Sequence, residues 1–203
     1  MIKLEINRLY IRQCGTNCYL IKDNNLAAVI DPGADECKIL ESIGNYKLEK
    51  IILTHGHFDH TGAVSALKDK TGARVFINPK DEIMLHDANK SLYAAVNGTF
   101  KGFKTSDADE YFKDKIDICG NTFEVINTPG HSPGSVCLLG DKILFSGDTL
   151  FKESIGRYDC GSYEDIMNSL DILMKLDDDV KVYPGHGFST TIGSERLDNP
   201  YLR

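Results

Sequence analysis

Three of the chain's six histidines sit at positions 55, 57 and 60, inside the run Thr54-His55-Gly56-His57-Phe58-Asp59-His60, with the carboxylate of Asp59 among them. Imidazoles crowded this closely repel one another when protonated and are costly to desolvate without partners. A bound cation removes both penalties. The run therefore calls for a scaffold that holds this segment in place and brings further ligands to it. Matching donors lie in three distant segments: Gly130-His131-Ser132, Ser146-Gly147-Asp148-Thr149 and Pro184-Gly185-His186-Gly187. Five histidines and two aspartates are enough for two metal ions.

Most of these segments follow an apolar strand. Leu53 precedes the histidine run, Val125-Ile126 comes shortly before His131, Leu144-Phe145 precedes Asp148, and Val182-Tyr183 precedes His186. Strand ends in one sheet bring distant segments together along a single edge. Other strands are expected at Lys3-Leu4-Glu5-Ile6, Cys18–Ile21, Leu26–Ile30, Lys50–Leu53, Arg74–Ile77, Ile116–Ile118, Thr122–Ile126, Ser135–Leu139, Lys142–Phe145 and Val180–Tyr183. Asp23-Asn24-Asn25 turns the second of these into the third as a hairpin. Helical spacing covers Glu36–Ile43, a segment capped by Thr61 that runs to about Lys70 and closes at Gly72, a short helix at Lys80–Leu85, and Tyr163–Leu176. The stretch 86–114 is polar and weakly periodic, the pattern of a lid or binding loop. Its aromatics Tyr93, Phe100 and Phe103 could form a lid over part of a substrate, or simply pack. His86 lies outside every motif and reads as a surface residue.

The 203 residues suit one domain spanning 1–203, with no repeat or linker to divide it. A net charge of −7 argues against a general nucleic-acid footprint. No apolar stretch approaches the ~18 residues of a membrane span, and the N-terminus lacks the apolar core of a signal peptide. A cytoplasmic protein is expected, and its six cysteines, with no Cys-x-x-Cys pair, are expected to be free thiols. The oligomeric state is not legible.

His55 and His57 are two apart, so in an extended segment they point the same way and can share an ion. Asp59 and His60 are offset and can serve a second. Histidine and carboxylate suit zinc, and also iron or manganese. A closed structural zinc site would use four ligands, often cysteine. Seven donors without a thiolate favour an open catalytic pair, in which a carboxylate such as Asp148 bridges the cations.

Taken together, Thr-His-Gly-His-Phe-Asp-His at 54–60, Thr-Pro-Gly-His-Ser-Pro-Gly-Ser at 128–135, Phe-Ser-Gly-Asp-Thr-Leu-Phe at 145–151 and Tyr-Pro-Gly-His-Gly at 183–187 resemble the metallo-β-lactamase superfamily. The resemblance covers nearly the whole chain. It implies an α+β fold, the four-layer αββα sandwich. It assigns His55, His57 and His131 to one metal, Asp59, His60 and His186 to the other, and Asp148 to the bridge. Asp31 matches an aspartate that supports the histidine loop, although a simple turn aspartate would also fit.

Within the superfamily, Asp148–Phe151, Ser154-Ile155-Gly156-Arg157-Tyr158-Asp159 and the tail Thr190–Arg196 with Asn199-Pro200 resemble the short glyoxalase II-like (hydroxyacylglutathione hydrolase-like) group. There are two departures. The C-terminal helical domain that contacts glutathione in full-length glyoxalase II is expected to have no counterpart, since 1–203 reads as a single domain of this fold. The lysine-and-aromatic segment after the bridging aspartate is replaced by Gly156-Arg157-Tyr158.

The resemblance implies hydrolysis of a thioester such as an S-(2-hydroxyacyl)glutathione. Two divalent ions, expected to be zinc, would share a water that becomes a bridging hydroxide near neutral pH. Asp59 and Asp148 would act in catalysis, with Asp59 orienting the nucleophile. Arg157 and Tyr158 are candidates for substrate contact, and Arg157 could equally pair with Asp159 to hold a loop. The same scaffold supports a mono-iron persulfide dioxygenase, a lactone or phosphodiester hydrolase, or a metal-holding interaction module without activity.

Overall fold

A computed structural model describes residues 4–202. Two six-stranded sheets and one short ribbon account for its strands. The first sheet holds β1 (Glu5–Ile11), β2 (Thr16–Asp23), β3 (Leu26–Ile30), β4 (Lys47–Ile52), β5 (Arg74–Ile77) and β6 (Glu110–Tyr111), hydrogen-bonded in that order. Lys3, expected in the first strand, lies outside the described residues. The second half contributes β7 (Lys115–Ile118), β8 (Asn121–Asn127), β9 (Val136–Gly140), β10 (Ile143–Gly147), β11 (Leu150–Phe151), β12 (Ser154–Ile155), β13 (Lys181–Pro184) and β14 (Thr190–Thr191). The order of the second sheet is β14-β13-β10-β9-β8-β7, and β11 pairs only with β12.

Alternation along the buried strands sets the layers. Leu20, Val29, Ile51 and Val75 face one way, onto α1 (Glu36–Ile43) and α3 (Val64–Thr71), and a short turn of helix, α2 (Phe58–Thr61), comes between these two in the chain. Their neighbours Tyr19, Ile30, Ile52 and Phe76 face the other way, onto Phe123, Leu138 and Phe145 of the second sheet. The far side of that sheet, through Cys137, Leu144 and Val182, packs on Ile166, Leu170 and Ile192. A five-residue helix α4 (Tyr93–Asn97) precedes the two helices on that side, α5 (Tyr163–Leu173) and α6 (Ile192–Asp198). Each sheet is thus apolar on both faces, as a four-layer αββα sandwich requires.

Several boundaries differ from the sequence expectation. Thr61 does not cap a helix. His57 opens a separate helical turn that ends at Thr61, and α3 starts at Val64 after Ala63, whose amide bonds Pro32 O. Gly72 does close α3 in the left-handed region, as expected. The helix at Lys80–Leu85 is only a 3₁₀ turn over Glu82–Leu85. The helix expected over Tyr163–Leu176, α5, stops at Leu173, because the chain tightens into turns from Lys175 to Ile172 and from Leu176 to Leu173. The stretch 86–114 is not wholly irregular: it contains α4, and its end, β6, pairs with β5. Among the described residues, no helix is long and apolar enough to cross a membrane.

Strand direction positions the site. Parallel pairing of β3, β4 and β5 places the ends of β3 and β4 on one edge. In the second sheet β10 and β13 are parallel, and β8 runs with β10 because both are antiparallel to β9. Asp31, the 54–60 run, His131, Asp148 and His186 all follow these ends. The sheets are sewn together there by Val136 N to Thr54 O (2.9 Å) and by Asn17, whose backbone and side-chain amides bond Gly185 O, Pro184 O and Gly187 O.

Candidate metal centre

The seven sequence-selected donors converge. Ligand atoms of His55, His57 and His131 lie within 4.8 Å of one another, as do those of Asp59, His60 and His186. Asp148 lies between the two groups. Its Oδ2 is 3.6 Å from His131 Nε2 and 3.4 Å from His186 Nε2, and its Oδ1 is 3.4 Å from His60 Nε2. All but Asp59 and His186 are buried. Gly185 makes the approach possible, since a Cβ there would overlap Asp148 Oδ1.

The outer nitrogens fix the rings. Thr54 has one hydroxyl proton, and it goes to Asp31 Oδ2 at 2.7 Å. The same oxygen lies 3.1 Å from His55 Nδ1, so it accepts there and His55 carries its proton on Nδ1. His55 Nε2 is then a bare lone pair, buried and without a hydrogen-bond partner. His131 Nδ1 donates to Arg157 O (2.8 Å) and His186 Nδ1 to Gly15 O (2.9 Å). These bonds leave Nε2 of both rings facing inward, the usual support for a metal-bound imidazole. His60 Nδ1 lies 3.0 Å from Asp31 Oδ2, so Asp31 braces both the loop and a ring. Asp31 Oδ1 also accepts from Thr54 N at 2.8 Å.

The electrostatics divide the site. Burial pushes His55 and His57 down, His57 to about 4, so both are neutral donors at pH 7. On the other side burial opposes protonation of His60 and His186, but the carboxylates outweigh it and drive both up, His186 to about 10. Asp148 and Asp59 are held below the ordinary carboxylate range: burial resists ionisation, and the neighbouring imidazoles overcome it. A cluster that attracts positive charge, next to a group of imidazoles whose ligand atoms lie within 4.8 Å of one another and in which His55 Nε2 has no hydrogen-bond partner, fits divalent cations. Orphaned buried nitrogens of this kind are otherwise rare.

Asp81 is a residue that sequence reasoning missed. It is fully buried, and its Oδ2 accepts from Ser132 Oγ at 2.5 Å and from Gly56 N at 3.1 Å. Its Oδ1 accepts from Gly134 N at 2.6 Å. Burial raises its pKa, and those three donors oppose the shift. The carboxylate ties the loop of His55 and His57 to the loop of His131. Its only sequence signal is an acid within a polar stretch.

Five of the donors, His57, Asp59, His131, Asp148 and His186, floor a cavity of about 490 Å³ walled by Gln13, Cys14, Phe58, Leu92, Val96 and Phe151. Arg157 reaches this wall, with Nε 3.6 Å from Asp159. The Tyr158 ring packs on Tyr163 at 5.1 Å and does not line the cavity. The tail residues are structural. Glu195 is buried and accepts from Glu153 N, Thr190 Oγ1 and Asn199 Nδ2, and Arg196 donates to Met174 O and Leu176 O beyond α5. His86 stands apart, 3.7 Å from Asp107.

The family model described as "Metallo-beta-lactamase superfamily" matches residues 11–186. The hydroxyacylglutathione hydrolase GloC of Haemophilus influenzae is 34% identical over 203 residues, 92% of this chain and 92% of that protein. The crystal structure of the BLEG-1 B3 metallo-beta-lactamase superposes with a TM-score of 0.92 at 34% identity, over 98% of this chain and 99% of that one. That of TTHA1623 in a di-iron-bound form gives 0.86 at 32% identity, over 97% and 100%.

Proposed function

The chain belongs to the metallo-beta-lactamase superfamily, and on that premise we propose that it is a binuclear metal-dependent hydrolase that cleaves thioesters of the S-(2-hydroxyacyl)glutathione type. The observation that carries the reading is the pair of donor groups on either side of Asp148 at the floor of an open cavity. The similarity to GloC supports the choice of thioester.

In this reading His55, His57 and His131 would hold one divalent ion and Asp59, His60 and His186 the other, with Asp148, which lies between the two groups, available to both. Zinc is the ion the donor set favours, with iron or manganese also compatible. Bound there, the ions supply Lewis acidity, which activates water and polarises a carbonyl near neutral pH. Asp59 and Asp148 remain ionised, so they orient donors and do not protonate the leaving group. A thioester needs no such proton, because a thiol with a pKa near 8.5 departs as thiolate. Asp31 and Thr54 hold the His55 proton on Nδ1 and keep Nε2 free. Arg157 stands where a substrate carboxylate would enter, a role that suits guanidinium.

The test pairs elemental analysis of metal per chain with an anaerobic assay of S-D-lactoylglutathione. About two ions and cleavage support the proposal. About one iron, no cleavage, and oxygen uptake with glutathione persulfide would replace it with the dioxygenase reading. Cleavage of lactones, phosphodiesters or β-lactams in preference to thioesters would keep the hydrolase and change its substrate. A metal-replete protein inert toward all of these would leave only a metal-holding module.

A further inference from the structure

The metal cavity continues sideways into an annex of about 240 Å³, and the two share Gln13, Cys14, Phe58 and Asn97 in their walls. The annex is smaller than the ~300 Å³ at which pockets begin to enclose drug-sized ligands, so it suits part of a substrate. Its lining is aromatic. Phe58 and Tyr93 meet edge to face at 5.6 Å, and Tyr93 and Phe103 lie 5.4 Å apart. Tyr93 OH donates to Lys101 O and Asn97 Nδ2 donates to Tyr93 O, which closes this segment on itself. Phe58 N bonds Ser91 O at 3.0 Å, so the segment is anchored to the metal-binding run. Lys104 stands at the rim, exposed and with no hydrogen bond or ion pair among the described residues.

We propose that this annex binds the part of the substrate distal to the scissile carbonyl, an apolar or aromatic arm that ends in a carboxylate. The proposal rests on the thioester-hydrolase part of the reading above, and it assigns one side of the thioester an arm of this chemistry in place of the short hydroxyacyl group or the glutathione. With the carbonyl at the metal floor, an arm that passes Cys14 and Asn97 lies against Phe58, Tyr93 and Phe103. Its end meets Lys104, an unpaired cation on a chain of net charge −7. Burying the arm on these rings supplies affinity, and the lysine supplies preference for an anionic end.

Two substrate series test this and tell which side of the thioester carries the arm. One compares suberoyl with acetyl thioesters of N-acetylcysteamine. The other compares acetyl thioesters of ω-mercaptooctanoate and ethanethiol. The expected result is a kcat/KM about tenfold higher for the long anionic member of one series. Phe103→Ala should erase most of that ratio. Lys104→Glu should cut it about fivefold at low salt and less at high salt. A ratio near one in both series, or a ratio that survives both substitutions, overturns the proposal while the turnover itself upholds the hydrolase. If no thioester is cleaved, the thioester reading fails and calorimetric titration with octanoate decides the annex. Affinity about fivefold weaker in Lys104→Glu supports it, and unchanged affinity in both variants overturns it.

Discussion

Ser132 Oγ donates to Asp81 Oδ2 across 2.5 Å, linking residues 51 positions apart in the chain at full burial. The same carboxylate accepts the amides of Gly56 and Gly134, so a single side chain sets the spacing between His57 and His131. Asp81→Ala would leave those buried amides without a partner. Ser132 Oγ keeps Ser135 Oγ as a partner at 2.7 Å, so two amides go unmet, and at about 1–3 kcal/mol each a loss of roughly 2–6 kcal/mol is expected. Partners that orient ligands typically contribute 10–100-fold to metal affinity, and a drop of about that size should follow. Urea unfolding and chelator competition measure the two effects. A variant with wild-type metal affinity would show that the loops hold their spacing without Asp81.

His57→Ala removes an imidazole that faces His131 Nε2 at 2.9 Å through Nδ1. A direct ligand should matter more than its supports, so turnover is expected to fall by at least about 100-fold, with metal content reduced toward one ion. The sandwich does not depend on this ring, since the three core clusters contain no site histidine. Far-UV circular dichroism should therefore match the wild type. Near-normal turnover would refute the ligand assignment.

The convergence of these histidines and aspartates was legible because metal chemistry restricts candidate donors to a few residue types, and because most of them follow an apolar strand whose end can be read from its pattern. Asp31 was legible for the same reason, at the end of β3. Asp81 was not: it lies 25 residues from Gly56 and 53 from Gly134, and no local pattern marks a buried acid whose partners are backbone amides. Thr61 misled because a threonine before an apolar run reads as a cap, whereas the fold spends it inside the turn that aims Asp59 and His60. The last helix, α6, went unread. Its seven residues, Ile-Gly-Ser-Glu-Arg-Leu-Asp, include a glycine and only two large apolar side chains, and it is held by the buried Glu195 network rather than by a stripe. The edge strand β6 is two residues long, below the length at which alternation can be seen.

Gly33 lies two residues beyond Asp31 and packs against the backbone of Asp59. A Cβ at Gly33 would overlap Asp59 O and approach Cys14 Sγ, and its own carbonyl already packs on Gly62. The obstacle is backbone on both sides, so no rotamer change relieves it. Gly33→Ala should cost about 1–3 kcal/mol from overpacking and displace Asp59 from His60 and His186. The expected signature is selective loss of one metal ion, read by elemental analysis of dialysed protein. Retention of both ions with unchanged stability would mean that the 31–33 turn yields freely.

Asp109 predicts the acid limb of stability away from the metals. Its carboxylate accepts from Lys68 Nζ at 2.8 Å and from Val75 N at 2.8 Å, tying α3 and β5 to the entry of β6. Burial opposes its ionisation, but these donors outweigh it and hold the pKa below the ordinary value. A carboxylate with a depressed folded pKa stabilises the fold above its unfolded pKa, near 3.9, and that contribution disappears as pH falls through the folded value. Asp109→Asn should therefore unfold at lower urea than the wild type at about pH 7. The gap should narrow below about pH 4, where the wild-type carboxylate takes up its proton. Because the pair is partly exposed, added salt should shrink the neutral-pH gap as well. A gap independent of pH from neutral to strongly acid conditions would assign the effect to packing and not to the ionised carboxylate.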